Sequence, residues 1–227
     1  MGQKSTKEES ATRLLGLQKD LGNKLSNGQR SLDDLHWFNN LSKEALQQLV
    51  EGNYELVEPK NTYLRLISGG QTVTISACKG GKTANLAHAE KTFLGWVDPD
   101  FKDWGCDTPQ PATKKTDVDV YEMYNKNADF KTLFGSLSSD LKSLVFESQG
   151  QIEKFAKENK EWLRTDGYGT FFLFIEKIDN EEKLFVAGVD QGSGGLMVGV
   201  HHLSFGHVWN ACYAHRVVVP ATKTSKP

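Results

Sequence analysis

The chain has 227 residues, enough for one large domain or two small ones, and its 27 Lys and Arg against 29 Asp and Glu give a formal net charge of −2. This near balance gives no electrostatic reason to expect a nucleic acid or an anionic membrane as a partner. The apolar fraction of 38% and the 21 glycines are ordinary for a globular protein and exclude a collagen-like, coiled-coil or disulfide-rich chain.

The first segment, residues 1–11, is polar and predicts a disordered start without the apolar stretch of a secretory signal. The longest purely apolar run, residues 171–175, is far shorter than the roughly 20 residues that a membrane-spanning helix needs. Cys78, Cys106 and Cys212 are odd in number and lack C-x-x-C spacing, which favours reduced thiols. We therefore expect a cytoplasmic protein.

Residues 12–97 are predicted to form a helical segment followed by a β-hairpin. Leucines at three- and four-residue steps after residue 12 predict an amphipathic helix, and Ser42 is typical of the residue that begins another. From residue 61 the apolar pattern changes to a period of two. Gly69 and Gly70 then predict a two-residue turn that pairs Leu66 with Val73.

Residues 98–117 hold three of the six prolines and show neither a helical nor a strand period, so they predict a long loop or linker. This segment is the best candidate for an internal domain boundary. Beyond it, residues 118–220 are predicted to hold helices and a β-meander, and residues 221–227 a polar tail. The best helix of this part runs through Ile152, Phe155 and Trp162.

The meander prediction rests on four strand-like runs separated by turn residues: 170–177, 183–190, 196–203 and 207–219. Four adjacent antiparallel strands are the simplest arrangement of these runs. The expected fold class is therefore α+β, with an N-terminal helical segment, a central β-hairpin and a C-terminal four-stranded antiparallel meander packed by helices.

Four segments resemble those of uncharacterised bacterial proteins found mainly among ultrasmall candidate-phylum bacteria. They are Phe-Leu-Gly-Trp-Val-Asp-Pro-Asp-Phe-Lys-Asp-Trp from Phe93, Phe-Gly-Ser-Leu from Phe134, Trp-Leu-Arg-Thr-Asp-Gly-Tyr-Gly-Thr-Phe-Phe-Leu-Phe from Trp162, and Arg-Val-Val-Val-Pro from Arg216. The resemblance covers about residues 36–221. It implies a bacterial cytoplasmic setting, and it carries over no activity, ligand or site residue.

Residues 76–83 end in Gly-Lys-Thr and are similar to a phosphate-binding loop, in which glycines let backbone N–H groups surround the phosphates. Ser76 stands where the pattern requires its first glycine. The preceding strand is also predicted to belong to an antiparallel hairpin, whereas the motif needs a parallel strand and helix. A solvated basic turn is the better interpretation, and we predict no cofactor.

Four aspartates, Asp98, Asp100, Asp103 and Asp107, resemble a calcium loop in composition. The resemblance does not extend to spacing, because Asp103 occupies the sixth position, where an EF-hand loop needs glycine. Turn formation around the Asp98-Pro99 step explains the cluster better than ion binding does.

Four of the six histidines, His201, His202, His207 and His215, lie in the last 30 residues. His201 and His202 would point to opposite faces of a strand, and His207 and His215 would lie about 26 Å apart if 207–215 were one straight strand. A three-residue turn leaves only His201 and His207 as a diagonal pair. Two ligands are too few for a zinc site, so we predict no metal.

Aromatic side chains give the leading functional hypothesis. His201, His207, Trp209 and Tyr213 are predicted to share one face of the meander and to bind a ligand or partner there. The alternation around Phe172 also makes both faces of its strand apolar, which predicts a sheet covered on each side.

Two functions remain open at this stage. The preferred hypothesis is a non-enzymatic binding or interaction protein with an unknown protein or small-molecule partner, because no convergent acid, base and nucleophile can be argued from the sequence. The alternative is a hydrolase-type enzyme whose site in the C-terminal sheet uses His201 with His207, or a cysteine such as Cys106 or Cys212. No G-x-S-x-G nucleophile motif is present to decide between them.

Overall fold

The computed structural model describes residues 61–69 and 71–221, with Gly16 and Lys19 as two further helical positions. The chain divides into two compact units, Met1–Glu58 and Pro59–Pro227. Apart from the two helical positions, the predicted N-terminal helices lie outside the described residues, as do the disordered start and most of the polar tail. Every strand described belongs to the second unit.

Eight β-strands form one mixed sheet in the described part of the chain. They are β1 (Leu64–Leu66), β2 (Val73–Ile75), β3 (Trp96–Val97), β4 (Thr116–Met123), β5 (Thr170–Ile178), β6 (Glu181–Gly192), β7 (Gly195–His202) and β8 (Arg216–Pro220). The order across the sheet is β1-β4-β8-β5-β6-β7-β3, and β2 also pairs with β4. Two pairs, β3 with β7 and β5 with β8, are parallel, and the others are antiparallel.

Three short α-helices accompany this sheet among residues 61–221: α1 (Asp100–Asp103), α2 (Phe130–Gly135) and α3 (Gln149–Glu158). Helix α3 begins at a capping box, in which Ser148 Oγ accepts a hydrogen bond from the Gly150 N–H and Gln151 Oε1 accepts one from the Ser148 N–H. A 3₁₀ turn, Lys160–Trp162, follows it, so the helix predicted through Trp162 ends earlier than its apolar pattern suggests.

The predicted central hairpin is wrong. Strands β1 and β2 both pair with β4, with Leu66 opposite Tyr121 and Val73 opposite Val118, and they do not pair with each other. They lie end to end along β4, and Ser68 holds the connection in place by accepting a hydrogen bond from the Val120 N–H at 2.9 Å. Pairing with a distant strand therefore overrides the local turn signal, of which Gly70 lies outside the described residues.

The predicted four-stranded meander, and with it the helix-packed α+β architecture, is also wrong. Strands β5, β6 and β7 follow one another as antiparallel neighbours, but β8 lies on the other side of β5, between β5 and β4, and runs parallel to β5. A parallel return of this kind needs a crossover connection. Residues 203–215, the crossing loop, provide it, and the predicted strand 207–219 shortens to β8.

Both faces of the sheet are buried, as the alternation in β5 predicts. Phe172 and Phe174 belong to the core on one face, which α3 covers with Ile152 and Phe155. Phe171 belongs to the core on the other face. This second core lies under α2 and the crossing loop, and its buried members include Phe130, Phe134, Leu173, Val186, Ala211 and Val217.

The segment 98–117 contains α1 and is joined to the preceding chain by two isolated bridges, Cys78 with Thr113 and Gly81 with Gln110. Strand β3 precedes the segment, β4 begins within its last two residues, and both strands belong to the same sheet. Within the described ranges, none of the helices is long and apolar enough to cross a membrane.

Candidate functional site

A cleft of about 280 Å³ opens on the face of the sheet that carries the second core. We call it the glycine cleft, because Gly188 on β6 and Gly199 on β7 lie along its floor, together with Gly169 just before β5. Gly188 and Gly199 are directly opposite each other in the β6 and β7 pairing. A floor without side chains lowers the sheet surface at this point while the surrounding residues stand above it.

These glycines differ in how much space the structure leaves for an added side chain. A Cβ on Gly169 would lie 2.6 Å from Phe171 Cε1, so this position excludes any other residue without movement of a buried ring. A Cβ on Gly188 would be 3.7 Å from the same ring, which is ordinary contact. Gly188 therefore tolerates a side chain sterically, and that side chain would occupy the cleft.

Aromatic rings form the walls. On one side of the cleft lies Trp96, which belongs to the edge strand β3 and is 48% exposed. Trp209 comes from the crossing loop on the other side, where its ring packs 4.7 Å from Phe171. Backbone hydrogen bonds in both directions between Trp209 and Ala128 fix the loop at this point. The indole N–H of Trp209 is buried and has no hydrogen-bond partner among the described residues.

Asp190 is the most perturbed acid of the cleft. Burial raises the pKa of its carboxyl to about 6. Its Oδ1 atom is buried beside Gly169, and neither carboxyl oxygen accepts a hydrogen bond from the part of the chain that the structure describes. A half-buried carboxylate without a partner is costly, and such groups concentrate at binding and catalytic sites.

Asp98 places a second carboxylate in the cleft. Its Oδ1 accepts the Asp100 N–H at 3.1 Å and its Oδ2 accepts the Val200 N–H at 3.2 Å, so the side chain holds the end of β3 against β7. A Cβ on Gly199 would lie 3.5 Å from Asp98 Oδ2 and 3.9 Å from His201 Nε2. Asp98 and His201 therefore flank the same glycine.

Two histidines complete the lining, and both are held in the neutral form by burial. Burial lowers the pKa of His215 to about 4, and the Gly169 N–H donates to its Nδ1 atom at 3.1 Å. The neutral ring therefore carries its proton on Nε2. Burial also lowers the pKa of His201, whose ring stacks on Phe205 at 5.0 Å.

Only two of the four predicted site residues lie in the cleft. His201 and Trp209 line the cleft. His207 and Tyr213 are not lining residues: the His207 ring is edge-on to Trp209 at 4.6 Å, and Tyr213 stacks on Tyr168 at 4.7 Å. The straight-strand geometry behind the prediction is wrong, because the crossing loop contains a 3₁₀ turn, Ala211–Tyr213, and folds back on itself.

Because the crossing loop folds back, His207 and His215 lie closer together than predicted. Trp209 contacts both His207, at 4.6 Å, and His215, at 5.0 Å, so these two rings are far closer than the separation expected for an extended strand. Asp98, Asp190 and His215 were not among the predicted site residues. The signal that could have found them is the glycine inside each of two predicted strands, Gly188 in 183–190 and Gly199 in 196–203.

The remaining sequence motifs have structural roles. A Cβ on Gly80 would lie 2.5 Å from both Ala112 N and Gln110 O, so this glycine in the phosphate-loop-like segment permits close approach of two chain segments. Among the described residues, no group of three or more His, Cys, Asp or Glu side chains is placed to hold a metal ion, the predicted aspartate and histidine clusters included.

Comparison of the chain with protein-family models, with curated proteins and with solved structures finds no match. The resemblance to an uncharacterised bacterial family therefore stays a prediction, and no residue role is transferred from a relative. Assignment of a function depends on the geometry and the chemistry of the glycine cleft, where aromatic walls, a glycine floor and two carboxylates converge.

Proposed function

We propose that this protein binds a small molecule in the glycine cleft. The observation that supports this most strongly is the floor itself, where Gly188 and Gly199 lie opposite each other on β6 and β7 in a trough that Trp96 and Trp209 also line. Pockets that combine apolar walls with a few convergent polar groups are the usual form of ligand sites. Asp190 and His215 are such polar groups, each with hydrogen-bonding capacity that the described residues leave unused.

The size of the cleft limits the ligand. Its volume of about 280 Å³ is close to the lower end of the roughly 300 to 1,000 Å³ usual for ligand pockets, which suits a compact ligand with one ring. Next to the cleft, Phe205 stacks on the lining residue His201 at 5.0 Å and is 44% exposed. This exposed ring adds apolar surface beside the cleft and favours a ligand with an apolar body.

The proposal is tested by the indole N–H signals of ¹⁵N-labelled protein, assigned with Trp96→Phe and Trp209→Phe. Three probes of one shape are added at millimolar concentration: 2-phenylethylamine, 2-phenylethanol and phenylacetate. We expect at least one probe to shift both signals in a saturable manner. We also expect Gly188→Leu to abolish the shifts, because its side chain fills the cleft.

Gly135→Leu is the matched control, since Gly135 is exposed and nothing lies within 4 Å of its added Cβ. It should bind the probes as the parent protein does. If none of the three probes shifts the Trp96 and Trp209 signals, or if Gly188→Leu binds as tightly as the parent, the proposal is wrong.

An acid–base enzyme is the second candidate, and Asp190 is the observation that favours it. A carboxyl whose pKa is about 6 in a cleft can both accept and donate a proton near neutral pH. His201 lines the same cleft and is the histidine already proposed for an enzymatic site, so it is tested together with Asp190. A cysteine-based site has less support, because burial raises the pKa of Cys106 to about 12, far from a reactive thiolate, and the exposed Cys212 does not line the cleft.

Hydrolysis of 4-nitrophenyl acetate tests this candidate. Turnover above the buffer rate that rises with pH through about 6, and that is lost in both Asp190→Asn and His201→Ala, would establish an acid–base site. A rate unchanged by Asp190→Asn would exclude Asp190 as the acid or base.

A cytoplasmic location is proposed as well, with support from three cysteines that form no disulfide.

A further inference from the structure

We infer that the ligand of the glycine cleft is an organic cation, a small molecule whose ammonium group meets Asp190 while its flat apolar body lies between Trp96 and Trp209. This inference rests on the proposed function and adds the chemical class of the ligand. Three independent features of the lining support it: its charge, its unpaired hydrogen-bonding atoms and its aromatic walls.

The charge of the lining is negative. Asp98 and Asp190 are its two acidic side chains, and none of the described residues that line the cleft is Lys or Arg. The two histidines are held neutral by burial and do not compensate these carboxylates. Arg164 lies outside the lining, and its Nε–H donates to the Tyr213 carbonyl at 3.0 Å. Its positive charge also contributes to the lowered pKa of His215. An anionic ligand would therefore meet net repulsion.

The unpaired carboxyl oxygens of Asp190 favour a ligand that brings a hydrogen-bond donor to this end of the cleft. The carboxyl of Asp190 accepts no hydrogen bond from the described residues, whereas each oxygen of Asp98 already accepts one backbone N–H. An ammonium group supplies up to three N–H donors together with the charge that a carboxylate prefers. A neutral hydroxyl supplies one donor and leaves the charge uncompensated.

The aromatic walls suit the same ligand. The faces of Trp, Tyr and Phe rings attract cations, and Trp does so most strongly. Trp96, Trp209 and Phe171 all line the cleft, and the Trp209 and Phe171 rings lie 4.7 Å apart. A cation that enters between Trp96 and Trp209 therefore combines contact with ring faces and a carboxylate at the glycine floor.

The experiment compares three probes of nearly equal size and different charge in the full chain at pH 7.5: 2-phenylethylammonium, 2-phenylethanol and phenylacetate. Dissociation constants come from the Trp96 and Trp209 indole signals. We expect the amine to bind at least about tenfold more tightly than the alcohol, and phenylacetate to bind most weakly. We also expect the amine, and not the alcohol, to bind more weakly as sodium chloride is raised.

Asp190→Asn should reduce the affinity for the amine to that for the alcohol and leave the alcohol unchanged. Asp103→Asn, which neutralises an exposed carboxylate on α1, is the matched control and should keep the amine preference. Equal binding of amine and alcohol, or tighter binding of phenylacetate, would overturn the cation inference while the binding cleft itself stands. Absence of binding by all three probes would overturn the proposed function as well.

Discussion

Replacing Asp190 with Asn should stabilise the protein at neutral pH. Burial raises the pKa of this carboxyl from 3.8 to about 6, so the folded protein pays a cost to hold it ionised. At roughly 1.4 kcal/mol per pH unit that cost is about 3 kcal/mol for a fully buried group. Water in the cleft screens part of it, so we expect Asp190→Asn to raise the free energy of unfolding by about 1 to 2 kcal/mol at pH 7.

The sign of the pH dependence follows from the direction of the shift. The folded pKa lies above the unfolded value, so the ionisation cost is fully present above about pH 6 and disappears as the pH falls toward 4. The advantage of the variant should therefore be largest at pH 7, smaller at pH 6 and smallest at pH 5. Urea unfolding followed by tryptophan fluorescence at these three pH values measures it.

The other titratable groups of the cleft are Asp98, His201 and His215. Burial lowers the pKa of both histidines, so their protonation destabilises the folded state as the pH falls, in the direction opposite to the effect of Asp190. Comparing parent and variant at each pH removes most of this contribution, because both proteins contain the same histidines. Asp103→Asn provides the baseline for loss of an exposed charge.

A stability difference between parent and Asp190→Asn that stays constant from pH 7 to pH 5 would refute the reasoning. Such a constant difference would mean that the side chain acts through shape or hydrogen bonding alone. A gain of the same size in Asp103→Asn would refute it too, because general charge reduction would then explain both variants. The expected result would show that the cleft retains an energetically unfavourable carboxylate, a common property of binding sites.

Three further outcomes are expected. Affinity for 2-phenylethylammonium should be about tenfold lower at pH 5 than at pH 7 as Asp190 takes up its proton, and Asp190→Asn should flatten this dependence in an NMR titration. Glu176→Ala should lower the free energy of unfolding by at least about 3 kcal/mol in urea, because it leaves the side-chain donors of three residues without their buried acceptor. Ser148→Ala, which removes the N-cap of α3, should cost only about 1 kcal/mol by the same measurement.

The sequence locates individual strands better than it orders them. The runs 170–177, 183–190 and 196–203 nearly coincide with β5, β6 and β7, because alternating apolar residues and turn residues mark each strand locally. Asp179 and Asn180 both have positive φ in the turn between β5 and β6, as those residue types allow. The position of β8 depends on pairing with β5, 46 residues earlier in the chain, and with β4, 94 or more residues earlier, and no local pattern encodes it.

The failed hairpin has the same physical cause. Alternating residues on both sides of Gly69 satisfy a hairpin and an interrupted edge strand equally well, since each arrangement exposes one face and buries the other. The choice is made by β4, which presents enough length for β1 and β2 to pair with it in succession. A prediction that considers only neighbouring segments has no access to that partner.

The cleft is harder to foresee than the histidine cluster because glycines, rather than reactive side chains, create it. Pairing of Gly192 with Gly195 across a two-residue turn sets the register of β6 and β7, and the same register places Gly188 opposite Gly199. The floor of the cleft therefore follows from one turn and simple counting. The strand predicted at 207–219 does not show this site, because the crossing loop folds back at the Ala211–Tyr213 turn and places Trp209 in the cleft lining.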